Sequence, residues 1–134
     1  MITRKQVADE RRVNHTAEIF GIHFPMQLEP FVYRITGKLS RGYNGGYWEF
    51  FTLSNGGFYM AANSRKIFHV ISESGFEGDM SADALGITAC LYAYSQLSFS
   101  KDQEFAEICA QHYHWLREYM LDLPEARDIL GAID

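Results

Sequence analysis

The segment that most constrains the fold is a short polar break between two runs of bulky residues. Tyr47-Trp48-Glu49-Phe50-Phe51-Thr52-Leu53 is followed by Ser54-Asn55-Gly56-Gly57 and then by Phe58-Tyr59-Met60-Ala61-Ala62. Aromatic and β-branched side chains suit a pleated, half-buried surface, so both runs are expected as strands. Asn-Gly accepts positive φ at both central positions of a tight turn, which makes it the strongest short-range hairpin signal. With Asn55-Gly56 as a two-residue loop, Leu53 would face Phe58, Phe51 would face Met60 and Phe50 would face Ala61. Both faces of such a sheet carry apolar groups, so helices are needed to cover them.

Helices are predicted on either side of this hairpin. Residues 3–19 carry a thin apolar stripe of Val7, Val13, Ala17 and Phe20, with Gly21 as the stop. Phe31, Ile35 and Leu39 at four-residue spacing predict a second helix over 30–40, ahead of a glycine-rich loop from Ser40 to Gly46. After the turn Asn63-Ser64-Arg65-Lys66, Ile67 to Ile71 is expected to complete an antiparallel meander with strands near 47–53, 58–62 and 67–71. Ser81 can cap a helix running to about Leu97. Ser100-Lys101-Asp102-Gln103 has the capping-box form ahead of a helix carrying Phe105, Ile108, Cys109, His112, Leu116, Tyr119 and Met120 on one side. Pro124 suits the first turn of a last short helix ending near Leu130. Helices, a small antiparallel sheet, then helices predict one α+β domain over residues 1–134, long enough to bury a core.

Charge is unevenly spread. Residues 1–70 hold nine Lys/Arg against five Asp/Glu, whereas residues 71–134 hold three against twelve, within a total of −5. That bias predicts a molecule with a basic side and an acidic side, unless the charges are only solvated helix faces. No apolar stretch follows the early basic residues and none is long enough for a bilayer, so the expected compartment is the cytoplasm, without membrane contact. Cys90 and Cys109 would be reduced there, and Asn14-His15-Thr16 is a chance sequon.

Catalytic patterns are weak. Gly42, Gly45 and Gly46 lead into a strand instead of a helix N-terminus, and the Lys-Ser/Thr of a phosphate loop is missing. His112 and His114 point to different sides of a helix. Cys90, Cys109 and His112 would give a zinc ion only three ligands. His69 stands alone on a strand, and no nucleophile elbow is present. Arg4, Arg11 and Arg12 fall near one side of the predicted first helix, where they could touch DNA, but Asp9 and Glu10 interrupt them and the chain is acidic overall. A small metal-dependent or hydrolytic enzyme, or a general interaction module, is therefore the secondary reading.

The stretch Tyr43-Asn44-Gly45-Gly46-Tyr47-Trp48, continued by Ser54-Asn55-Gly56-Gly57-Phe58-Tyr59-Met60, resembles the antirestriction family of the ArdB/KlcA type. Ser81-Ala82-Asp83-Ala84 with Gly86, Tyr113-His114 with Leu116-Arg117, and the ending Ala132-Ile133-Asp134 extend the resemblance in the same order. It implies inhibition of type I restriction–modification enzymes, protecting incoming mobile DNA such as a plasmid, with no cofactor, no catalytic residue set and no small-molecule substrate. The matched residues are mainly glycine and aromatic, which suits folding more than recognition.

Full mimicry of DNA charge does not fit. A domain of this length spans roughly 35–40 Å, and duplex DNA of that length carries about 20 negative charges. A net −5 falls well short. The expectation is instead non-catalytic binding to a type I enzyme or its DNA-bound complex, with direct DNA binding disfavoured. The candidate surface is the acidic set Glu77, Asp79, Asp83, Asp122, Glu125, Asp128 and Asp134.

Overall fold

The computed structural model describes all 134 residues. The bulky runs form strands β2 (Trp48–Leu53) and β3 (Phe58–Ala62), joined as an antiparallel hairpin. Its loop has three residues, not two. Leu53 donates its N–H to the Gly57 carbonyl (2.9 Å), and Gly56 donates to the Leu53 carbonyl (2.9 Å) with φ at +104°. A turn over Ser54-Asn55 followed by a positive-φ glycine is the usual three-residue solution. The register accordingly moves by one residue: Thr52 faces Phe58, Phe51 faces Tyr59 and Phe50 faces Met60. Asn55 fixes this choice, because its side-chain oxygen accepts from Gly57 N (3.0 Å) and its amide donates to the Trp115 carbonyl (2.9 Å).

The third strand of that sheet is not 67–71. It is β1 (Arg4–Gln6), antiparallel to β2 with Arg4 opposite Leu53, inside the segment expected to be helical. All three β1 residues are exposed, so no buried alternation marks them as a strand. The open edge of β2 imposes the conformation. Helix α1 begins only at Arg12 (Arg12–Phe20), after a tight 3-10 turn over Asp9–Arg11, and of the expected stripe only Val7 and Phe20 are buried. A π-helical turn, Phe24–Leu28, leads into α2 (Glu29–Leu39), which buries Val32, Ile35 and Leu39.

Strand β4 (Ile67–Ile71) does form, but pairs with β5 (Glu77–Ser81) in a separate two-stranded sheet instead of joining a meander. Glu-Gly-Asp-Met-Ser has little strand propensity, and burial of Met80 opposite Phe68 holds it in place. Helix α3 (Ala82–Leu97) is capped by the Ser81 hydroxyl, which accepts from Ala84 N (3.1 Å). It is buried nearly all round, as expected of a central helix. Helix α4 (Gln103–Met120) is capped by Asp102 instead of Ser100, and α5 (Ala126–Ile133) closes the chain. The architecture is α+β: five helices with sheets of three and two strands.

Both faces of the larger sheet are covered, as their apolar character requires. On one, Phe20, Phe24, Phe50 and Phe58 make mutual ring contacts of 5.5–5.8 Å. On the other, Tyr59 stacks between Phe51 (5.0 Å) and Tyr119 (5.9 Å). The free edge of β3 is sealed by α3 in a four-residue rhythm. Tyr94 donates to the Phe58 carbonyl (2.7 Å), the Cys90 thiol reaches the Met60 carbonyl (3.6 Å), and Gly86 lies directly against Met60 and Ala61.

Candidate functional site

The glycine–aromatic motif is built into the scaffold. Tyr43 accepts a hydrogen bond from the Trp48 indole (3.0 Å), and Gly45 and Gly46 take positive φ (+97° and +127°) in the loop before β2. Ser54 is bonded to Thr3 through both backbone and side chain, tying the hairpin loop to the start of β1. Gly57 and Phe58 are buried under α4 residue Trp115 and the aromatic cluster. Tyr59 donates to Asp83 (2.8 Å) and accepts from Arg4 (2.7 Å). Tyr47 is half-exposed; its hydroxyl donates to Asp9 and its ring lies under the Arg12 guanidinium (4.8 Å).

The seven acidic candidates separate by what they touch. Asp83 is committed inside the fold to Arg4 (2.8 Å) and Tyr59. Glu125 accepts from both Ser81 N (2.9 Å) and the Ser81 hydroxyl (2.6 Å), pinning the segment before α5 to the β5–α3 junction. Glu77 and Asp79 project from β5 and enclose His69: its Nε2 meets Glu77 at 2.8 Å and its Nδ1 meets Asp79 at 2.9 Å. Contact of both ring nitrogens with carboxylates requires both to donate, so the hydrogen bonds that His69 gives to Asp79 and then Glu77 raise its pKa. Asp122, Asp128 and Asp134 make no ion pair. Helix α5 borders β5, so Asp128 and, at the helix end, Asp134 stand on an element next to the Glu77–Asp79 pair, whereas Asp122 lies in the turn between α4 and α5.

The Cys/His group is buried chemistry of another kind. His112 is packed against Phe20 (4.9 Å), Trp115 (5.1 Å) and Tyr94 (5.6 Å), and desolvation lowers its pKa to about 4. Burial pushes the Cys90 and Cys109 thiols up to about 12, away from the thiolate that a nucleophile or metal ligand needs. His114 lies exposed on the opposite side of α4.

The three arginines expected along one helix face are dispersed. Arg4 is on β1, Arg11 closes the 3-10 turn, and Arg12 turns inward over Phe50 (4.3 Å) to donate to the Trp48 carbonyl. The inward turn of Arg12 gives the structure a feature that periodicity missed, a groove of about 490 Å³ beside α1 whose lining includes Val13, Ile22, Phe24, Pro25 and Phe50. Val13 (79% exposed), Ile22 (68%) and, beside them on the π-helical turn, Met26 (69%) form an apolar patch there. Nothing in the sequence marks it, because Val13 reads there as part of a buried stripe.

Residues 41–134 match the family described as "Antirestriction protein". Over its whole length the chain is similar to antirestriction protein KlcA of Escherichia coli, at 37% identity over 99% of this chain and 95% of that one. It is also 36% identical to the uncharacterized protein YafX of Escherichia coli strain K12, over 99% of this chain and 88% of that one. A solved structure superposes with a TM-score of 0.91 at 38% identity, covering 99% of this chain and 95% of the other. That structure is described as one of the KlcA and ArdB proteins, with a novel fold and antirestriction activity against type I DNA restriction systems in vivo but not in vitro. Sequence and backbone agree from the first strand to the last helix, and the chain belongs to the antirestriction protein family of the KlcA and ArdB type.

Proposed function

We propose that this protein protects incoming mobile DNA in the bacterial cytoplasm by inhibiting type I restriction–modification systems, and that it does so by binding, not by catalysis. The observation that carries this reading is the near-complete backbone likeness to KlcA and ArdB proteins, whose antirestriction activity is described in vivo. No helix is long and apolar enough to cross a membrane. The same description, activity in vivo but not in vitro, disfavours simple occupation of a purified enzyme's DNA site. It favours a target assembled in the cell, such as an enzyme already engaged with DNA. A net charge of −5 points the same way, being too small for a DNA surrogate.

The contact surface in this reading is the acidic set on β5, on α5 and its end, and in the turn before α5: Glu77, Asp79, Asp122, Asp128 and Asp134, with Asp83 and Glu125 engaged inside the scaffold. DNA-handling enzymes expose basic surfaces, and clustered carboxylates steer toward them. The test is plating of unmodified phage on cells with and without a type I system, with the chain expressed. Wild type is expected to restore plating. Lysine at Asp122, Asp128 and Asp134 together is expected to abolish protection while leaving the melting temperature within a few degrees. Full protection by the triple variant removes the acidic surface; no protection by wild type removes the antirestriction reading itself.

A further inference from the structure

The two sheets have four outer edges, and three are protected against pairing with another strand. Strand β1 is three residues long and presents Arg4 and Gln6 outward. The β3 edge is closed by Cys90 and Tyr94 of α3. The β5 edge carries Glu77 and Asp79, and its Ser81 N–H is taken by Glu125. Short length, charge and cover are the ordinary protections of an edge.

Strand β4 lacks cover, and its one ionisable side chain, His69, is matched by Glu77 and Asp79 of its own sheet. Ser72 N–H bonds the Phe76 carbonyl (2.9 Å), and the alternation of an antiparallel ladder then assigns Val70 and Phe68 to β5. The backbone groups of Ile67, His69 and Ile71 point the opposite way and make no hydrogen bond within the chain. Ile67 and Ile71 are also exposed as side chains (66% and 54%). Beside Ile71 the edge opens onto a groove of about 300 Å³, whose lining includes Phe31, Ile35, Leu39 and Tyr92.

We propose that this edge pairs with the β4 edge of a second copy, forming a two-fold dimer with a continuous four-stranded sheet. The sequence around the edge is complementary to its own antiparallel image about His69. Residues equidistant from His69 face each other in such a pair. Ile67 of one copy then meets Ile71 of the other, and exposed Arg65, just before the strand, comes near exposed Glu73 in the turn that follows it, each contact occurring twice. A two-fold interface demands this reciprocity, and opposite charges brought close across it are favourable. The His69 rings meet at the axis, each already enclosed by its own Glu77 and Asp79. An interface of a few strand residues is small, so a Kd on the order of 10–100 µM is expected.

Sedimentation equilibrium of the full chain from about 10 µM to 1 mM, a range set to bracket that Kd, reads the outcome. Wild type is expected to rise from 15.4 kDa toward twice that mass. I67K/I71K is expected to weaken the dimer at least tenfold with an unchanged far-UV spectrum, both side chains being exposed. R65E and E73R are each expected to weaken it, and R65E/E73R to restore it. Wild type that stays monomeric throughout overturns the proposal, including the case in which this edge serves another protein. A dimer that survives I67K/I71K, or a double charge swap that does not recover, overturns it equally.

Discussion

Replacing Gly86 with alanine tests how closely α3 lies on β3. A Cβ built there would stand 2.5 Å from the Ala61 Cβ, 2.6 Å from the Met60 carbonyl oxygen and 2.7 Å from the Ala61 Cα. Two of those atoms are backbone, so no rotamer change relieves the overlap. The helix must move out by about 1 Å to reach ordinary contact distances near 3.5–4.0 Å. Overpacking costs about 1–3 kcal/mol, and this site belongs at the top of that range. The displacement also loosens the Tyr94–Phe58 hydrogen bond (2.7 Å), leaving a buried carbonyl short of its partner at about 1–3 kcal/mol. Alanine recovers about 1 kcal/mol of helix propensity. The net expectation is a loss of about 3 kcal/mol, or about 12 °C in Tm at this chain length. Urea and thermal unfolding followed by circular dichroism measure it. Gly37→Ala in α2 is the matched control: nothing lies within 4 Å of its Cβ position, so the same substitution should stabilise by up to about 1 kcal/mol. If Gly86→Ala falls within about 0.5 kcal/mol of wild type, or stabilises like Gly37→Ala, the close helix–strand approach is refuted.

Two further predictions concern buried or clamped polar groups. His112 has a folded pKa of about 4, below its ordinary 6.5, so the unfolded chain takes the proton first. Its contribution is fully present above pH 6.5 and is lost as pH falls toward 4, by about 3 kcal/mol in total. Urea midpoints between pH 7.5 and 4 should therefore fall more steeply for wild type than for His112→Phe, and parallel slopes would refute the assignment. Glu125→Ala should cost about 2 kcal/mol by releasing Ser81 N and the Ser81 hydroxyl, whereas Asp128→Ala should cost under about 0.5 kcal/mol. Equal effects of the two would show that Glu125 is not the clamp.

Elements that carry their own burial pattern were legible in the sequence. The Val32–Ile35–Leu39 spacing, the Phe58–Ala62 run and the Ser81 cap with its apolar helix each state a local preference that the fold keeps. Elements made by their neighbours were not. Arg4–Gln6 becomes a strand only because β2 offers an edge, and Glu77–Ser81 only because Phe68 and Met80 are buried together. The hairpin is legible in Asn55-Gly56 but its register is not: Asn55 accepts from Gly57 N within a three-residue loop, and the Trp115 carbonyl, sixty residues away in sequence, then holds that arrangement. The acidic bias of the second half was equally plain, yet composition could not separate Asp83 and Glu125, bonded inside the scaffold, from Asp122, Asp128 and Asp134.

The pairing of Arg4 with Leu53 also orders events during synthesis. Strand β1 leaves the ribosome before its partner and has nothing to lie against until more than forty further residues have emerged. The β2–β3 hairpin needs only its own three-residue loop, so it forms early and offers the edge that β1 later joins. Until Ser54 captures Thr3, the Arg4–Gln6 segment is unpaired, open to proteases and to any other strand nearby. Growth of the nascent chain past the hairpin is thus the step that closes the molecule.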